Sequence, residues 1–204
     1  SFSFSKKNLI MKLFKYSLIA LISISLFSCE KDDDNNGATT RTTPTNNPLI
    51  YLDTNGVTIK AIAAATIGDT GTVNGILYTV VDRNTLNNRI DSSLDVTNVC
   101  VSKITDMSLM FSGDDSFNKD ISSWDVSNVT NMRSMFGQAH SFNQDISSWD
   151  VSNVTDMYQM FYEAVSFNQD ISSWNVSNVT ECTRFSLLTL NWTQPKPNFT
   201  NCNP

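Results

Sequence analysis

Phe117–Met132 reads FNKDISSWDVSNVTNM, Phe142–Met157 reads FNQDISSWDVSNVTDM, and Phe167–Cys182 reads FNQDISSWNVSNVTEC. The three stretches recur every 25 residues without a gap, as the starting numbers 117, 142 and 167 show. The register continues upstream, where Val99, Val101, Ile104, Thr105 and Met107 stand in the places of Trp124, Val126, Val129, Thr130 and Met132. A fixed period of this size marks a stacked architecture in which each unit buries its apolar face against its neighbours.

Within one unit, Trp124-Asp125-Val126 alternates apolar and polar as a short strand does. Thr130 suits an N-cap, and Met132, Met135, Phe136 and Ala139 then fall at i, i+3, i+4 and i+7, one face of a helix. Phe142 closes the turn into the next copy. One strand and one short helix per unit predict an α/β repeat solenoid, residues 96–187, with a terminal segment at 188–204.

The order I-x-x-W-x-V-x-x-V-T-x-M-x-x-M-F-x-x-A resembles the leucine-rich repeat of BspA-like bacterial surface proteins. It is more similar still to the surface-lipoprotein repeat of mycoplasmas, Listeria and flavobacteria, over about residues 99–190. The resemblance implies a leucine-rich-repeat-like, right-handed stack of strand–helix units. The fourth copy departs from it, with Cys182, Phe185 and Ser186 in place of Met, Met and Phe, as an array end would.

Stacking should align Trp124, Trp149 and Trp174 in one column and Phe117, Phe142 and Phe167 in another. Buried, such rings contribute several kcal/mol each before entropy, at about 25 cal/mol per Å²; exposed, the same Trp column would be a platform for sugar rings. Asn128, Asn153 and Asn178 can satisfy backbone groups between turns, since an amide both donates and accepts. They also sit in N-V-T sequons, which in a bacterial lipoprotein read as structural.

Ahead of the repeats, Ile50-Tyr51-Leu52 and Val57-Thr58-Ile59 flank Asp53-Thr54-Asn55-Gly56, a hairpin signal. A stronger one is Asn74-Gly75 between Gly71–Val73 and Ile76–Val81, because a type I′ turn needs positive φ at both central residues. Asp82 should cap a short helix carrying Leu86 and Ile90 inward. This hairpin-and-helix unit, residues 48–95, is expected to be the N-terminal cap of the array.

Further upstream, residues 1–10 read as upstream translation, and Met11 opens a better start, MKLFKYSLIALISISLFSC. Its two lysines and short apolar run make residues 11–28 an export signal. Leu26-Phe27-Ser28-Cys29 resembles the bacterial lipobox, which implies cleavage before Cys29 and lipid on its sulfur and new amino group. Glu30-Lys31-Asp32-Asp33-Asp34 resembles the signal that sends Bacteroidetes lipoproteins to the outer face of the outer membrane; a solvated linker would carry the same charges. Residues 29–47, rich in Thr and Asn, read as a lipidated, disordered tether.

The formal net charge of −6 argues against a nucleic-acid partner, and the membrane is reached through the lipid anchor instead. His140 is the only histidine. There is no Ser/His/Asp or Cys/His arrangement and no Gly-rich phosphate loop, so neither an enzyme nor a cofactor is expected. Asp120, Asp145 and Asp170 form one acidic column; Asp125, Asp150 and Asn175 form a second. Each can stabilise a turn amide, while a shared calcium is the other way to relieve stacked charge. Cys182 and Cys202 bracket the C-terminal tail and are a disulfide candidate, with Trp192 and Phe199 as an apolar lid. Cys100 is left over.

Specificity should reside where the copies differ. Those positions include Arg133, Tyr158 and Gln159, with Tyr162 placed i+4 from Tyr158 on the outer side of the expected helix. The sequence therefore predicts a surface lipoprotein that binds a protein or glycan on a host or neighbouring cell. The alternative is a structural surface coat or spacer without a single ligand.

Overall fold

The computed structural model describes residues 48–204, so the export signal, Cys29 and the acidic tether lie outside the described residues. The elements are β1 (Ile50–Leu52), β2 (Ile59–Ala61), β3 (Thr70–Val73), β4 (Ile76–Val80), one helix α1 (Arg83–Asp91) and β5 (Val99–Cys100). β1 and β2 form one antiparallel sheet, and β3, β4 and β5 form a second, in which β4 and β5 run parallel.

Local chemistry explains these elements. Asn74 and Gly75 both adopt positive φ, 51° and 81°, which closes β3 onto β4 in the register Val73–Ile76. Gly71 lets β3 approach β1: a Cβ there would stand 2.9 Å from Ile50 Cβ. Asp82 Oδ1 accepts from the Thr85 backbone N–H at 2.7 Å and starts α1, which buries Leu86.

The expected stack of strand–helix units is not what forms. All five strands lie before residue 101, the only described helix is α1, and no copy of the repeat contains a helix. Each copy is instead a run of turns, tied to the next copy by backbone hydrogen bonds and by isolated parallel bridges, Asp106–Asn131, Asn131–Asp156 and Asp156–Glu181. In the second copy, the N–H groups of Met132, Ser134, Phe136 and Gln138 donate to the carbonyls of Asp156, Tyr158, Met160 and Tyr162. The intervening amides of Met135, Gly137 and Ala139 donate three residues back, to Met132, Ser134 and Phe136. The same pattern links Met107, Leu109, Phe111 and Gly113 to the second copy, and Met157, Gln159, Phe161 and Glu163 to the fourth.

Two physical reasons favour this ribbon over a helix. A segment this short is marginal as a helix, because isolated helices need roughly 12–15 residues. Alternate amides directed outward also satisfy a neighbouring copy, which a helix bonded to itself cannot do. The ribbon requires positive φ at two residues per copy: Leu109 and Gly113, Ser134 and Gln138, Gln159 and Glu163, Arg184 and Leu188. Each non-glycine residue in that region costs about 1–2 kcal/mol, which the inter-copy hydrogen bonds offset.

The inward set is nonetheless the one the spacing picks out. Met132, Met135, Phe136 and Ala139 are all fully buried, since the ribbon places the same positions inside that a helix would. Phe117, Phe142 and Phe167 stack at 5.8 and 5.7 Å, and Phe111, Phe136 and Phe161 form a parallel column at 5.7 and 5.6 Å. Trp149 and Trp174 stack at 6.4 Å with their planes 4° apart. The Trp rings are buried, so they form core and not a sugar platform. Each indole N–H is spent on a carbonyl of the preceding unit: Trp124 on Val96, Trp149 on Ile121 and Trp174 on Ile146.

The strand expected at Trp124–Val126 is also absent, apart from a single bridge between Ile59 and Trp124. In–out alternation survives at Asp150 and Asn175, which are exposed, but fails at Asp125, which is buried. Asp125 Oδ2 accepts from Ser102 Oγ and its Oδ1 from Ser127 Oγ, both at 2.6 Å, while Ser102 Oγ accepts the Ala61 N–H. This clasp joins β2 to the first copies.

Candidate binding face

The copies differ along the outer edge of the ribbon. Equivalent residues of neighbouring copies, 25 positions apart, there become physical neighbours. Arg133 lies over the ring of Tyr158, with Cζ 3.9 Å from the ring centroid, and its Nη1 is 3.5 Å from Asp156 Oδ2. Asp156 is held in place by the Tyr158 backbone N–H, which donates to Oδ1 at 2.8 Å. Gln138 Nε2 donates to Glu163 Oε2 at 2.9 Å. His140 Nδ1 meets Asp115 Oδ1 at 2.6 Å, an ion pair whenever the ring is protonated.

The face is wet and its groups are paired. The Gln138 amide and then the Tyr162 hydroxyl hold the Glu163 carboxyl below its ordinary value, and the same contact with Glu163 pushes the Tyr162 phenol up. A guanidinium over an aromatic face contributes about 0.5–1 kcal/mol at an exposed site and fixes the orientation of both side chains. The result is a shallow strip presenting an oriented cation, two phenols, carboxylates and amides.

The sequence-derived candidates are thus partly brought together. Arg133 and Tyr158 touch. Tyr158 and Tyr162 do not share a helical face, because no helix exists there; each is half-buried along the ribbon, and Tyr162 engages Glu163. Gln159 has φ 53° and its N–H donates to Thr183, so its backbone belongs to the ladder. Gln138 and Glu163 are also among the positions that vary between copies, and they touch; Asp156, which holds Arg133, is the member that was missed. The period itself was the signal for it, since residue n and residue n+25 are neighbours in a stack.

The other candidates have structural partners. Asp120, Asp145 and Asp170 each accept the backbone N–H two residues on, from Ser122, Ser147 and Ser172. Ser172 holds the Asp170 carboxyl below its ordinary range through its hydroxyl and then its amide. Among the described residues no group of three or more His, Cys, Asp or Glu side chains could share a metal ion. Asn128, Asn153 and Asn178 donate from Nδ2 to the carbonyls of Ser102, Ser127 and Ser152, one copy back. Cys182 and Cys202 are bonded, with Cα atoms 5.8 Å apart. Cys100 is a buried free thiol, 3.4 Å from Ser102 Oγ, and burial pushes its pKa up. Cys100, Ser102 and Asp125 superficially look like a catalytic row, but each is at most 4 % exposed, so no substrate reaches them.

A family model described as "Mycoplasma protein of unknown function, DUF285" matches residues 80–193, more than half of the chain, and the chain belongs to that family. The match begins in β4 and runs through the whole repeat array. It agrees with the mycoplasma side of the resemblance and names no leucine-rich repeat. No curated protein matches the chain, and no solved structure does.

Proposed function

We propose that this chain is a cell-surface lipoprotein, anchored through Cys29, whose repeat array is a binding module for a protein or glycan on another cell. The observation that carries this reading is the division of labour inside the repeat. Frame residues are buried or bonded from copy to copy, whereas the outer strip of Arg133, Tyr158, Gln159 and Tyr162 varies between copies and stays in contact with water. Tyr and Arg are the residue types that most often anchor interfaces, and here one orients the other. A strip with pre-set side chains loses less entropy on binding than one with free rotamers. Family membership and the lipobox-like Leu26–Cys29 are in keeping with this reading.

The test is protease shaving of intact cells expressing the wild type or Cys29→Ala, followed by a screen against host proteins and glycans. Removal of the wild-type domain from unbroken cells, and a ligand lost on Tyr158→Ala and Arg133→Ala, is the expected result. Protection until lysis sinks the surface reading. Exposure with no ligand affected by those substitutions favours a structural coat.

A further inference from the structure

Along the ribbon the ladder between copies has a polarity: from Met107, Met132 and Met157 onward, alternate N–H groups of one copy donate to carbonyls of the next, whereas the Thr130, Thr155 and Thr180 amides just before it donate to the preceding copy. The fourth copy therefore ends on a row of donors, the backbone N–H groups of Cys182, Arg184, Ser186 and Leu188. Among the described residues none of these has an acceptor. Their backbone keeps the paired conformation regardless. Arg184 and Leu188 have φ 58° and 65°, against 53° and 54° for Gln159 and Glu163, which are paired. The edge is preorganised.

The C-terminal tail covers the other side of the same copy. Pro195 accepts the Ile171 N–H, Thr193 donates to Asn168 Oδ1, and Asn201 Nδ2 donates to the Ser177 carbonyl. The Cys182–Cys202 bond then fixes the tail beside the start of the donor row. Beyond that bond, Arg184 and Leu188 are exposed and Ser186 is half-buried. An open cavity of about 530 Å³, lined in part by Thr183, Arg184, Ser186, Leu187 and Lys196, flanks the row. Leu187, Leu188 and Leu190 add exposed apolar surface.

We propose that the Cys182–Leu188 edge docks an acidic polypeptide segment of a partner protein, whose carbonyls at every second residue continue the ladder. The occupant follows from three considerations. Backbone donors with fixed spacing call for backbone acceptors, as in sheet augmentation. Arg184 and Lys196 give this end a positive rim on a chain with net charge −6, so carboxylates on the partner are favoured. A second copy does not fit. Two such edges would face donor to donor, and at the opposite end Arg83 already occupies the Asp106 and Ser108 carbonyls, so a copy stacked head to tail would find only those of Met110 and Ser112. The site is separate from the variable strip and does not depend on the function proposed above.

The probe is a synthetic peptide of residues Thr155–Val165, TDMYQMFYEAV, which is the acceptor ribbon in the array and carries two carboxylates. It is titrated into the ¹⁵N-labelled full chain while amide exchange is read at Arg184, Ser186 and Leu188. Exchange at these amides should slow about tenfold near saturation. A peptide bearing Asp156→Lys and Glu163→Lys should bind at least about fivefold more weakly, and Arg184→Glu in the chain should reverse that preference. No change at these amides overturns the proposal. Equal binding of the lysine peptide overturns the acidic assignment. The same protection from inorganic phosphate would show an anion site and no polypeptide site.

Discussion

The two ends of the array are closed with different chemistry, one by a side chain and the other by a length of chain. At the first copy the open groups are carbonyls, and a side chain closes the first two of the row: Arg83 of α1 donates to the Asp106 and Ser108 carbonyls at 2.7 and 2.6 Å and to Asp106 Oδ1 at 2.8 Å. At the last copy the chain itself closes one side, through a tail that imitates a fifth copy. Trp192 donates to Gln169, Asn201 takes the role of the repeat asparagine, and Phe199 packs edge-on against Phe185 at 4.9 Å. A stack bonded from copy to copy leaves outward-facing groups at both ends, and each end covers only part of them. Both closures bring donors to carbonyls, a guanidinium fork at the first copy and indole and amide N–H groups at the last, and the ribbon amides of the last copy stay open.

Substitutions in the middle, at each end and in the titrating groups should separate these contributions. Phe142→Ala removes a fully buried ring stacked on both neighbours and on Phe136, and should destabilise the array by about 3–5 kcal/mol in urea unfolding. Cys202→Ser releases the tail that closes the last copy; losing that loop constraint should cost about 3 kcal/mol and expose the tail to proteolysis before the array. Arg83→Ala leaves the Asp106 and Ser108 carbonyls without their donor and should cost about 1–3 kcal/mol. Arg83→Lys should recover only part of that, because an ammonium lacks the planar fork. If both Arg83 variants match wild type in thermal melts, the closure of the first end is wrong.

The smallest effect is a pH dependence. Burial pushes the Asp106 carboxyl up, but the Ser108 amide and hydroxyl and the Arg83 guanidinium outweigh it, and the net value falls below the ordinary carboxylate range. A carboxyl depressed in the folded state adds stability above its unfolded pKa and loses it as pH falls through the folded value. The difference between wild type and Arg83→Ala should therefore be constant near neutral pH and shrink on acidification below the ordinary carboxylate range. Chemical denaturation across that range reads it.

Much of this was legible in the chain. The period gave the stacking and the columns, and the apolar spacing gave the buried set from Met132 to Ala139. The Asn74-Gly75 turn and the Asp82 cap follow from local chemistry that needs no tertiary help. What was not legible was the local structure of the repeat, because apolar residues at i, i+3, i+4 and i+7 point inward in a turn ribbon as well as in a helix. The positive φ values fall on Ser134, Gln138, Gln159 and Glu163, residue types that do not announce a left-handed backbone. The binding strip was half legible. Arg133 and Tyr158 were singled out as variable, but the helical assumption paired Tyr158 with Tyr162 when its neighbour is Arg133, one period away. Arg83 gave no sequence signal, since its acceptors are backbone groups more than twenty residues on.

The most direct measurement is of couplings across the hydrogen bonds themselves, in ¹⁵N,¹³C-labelled protein. The structure predicts coupling from the Ser134 amide to the Tyr158 carbonyl and from the Gln159 amide to the Thr183 carbonyl, with none from Arg184 to any array carbonyl. Coupling from Ser134 to the carbonyl of Thr130, four residues back, would restore the helix and contradict the ribbon on which the whole account rests.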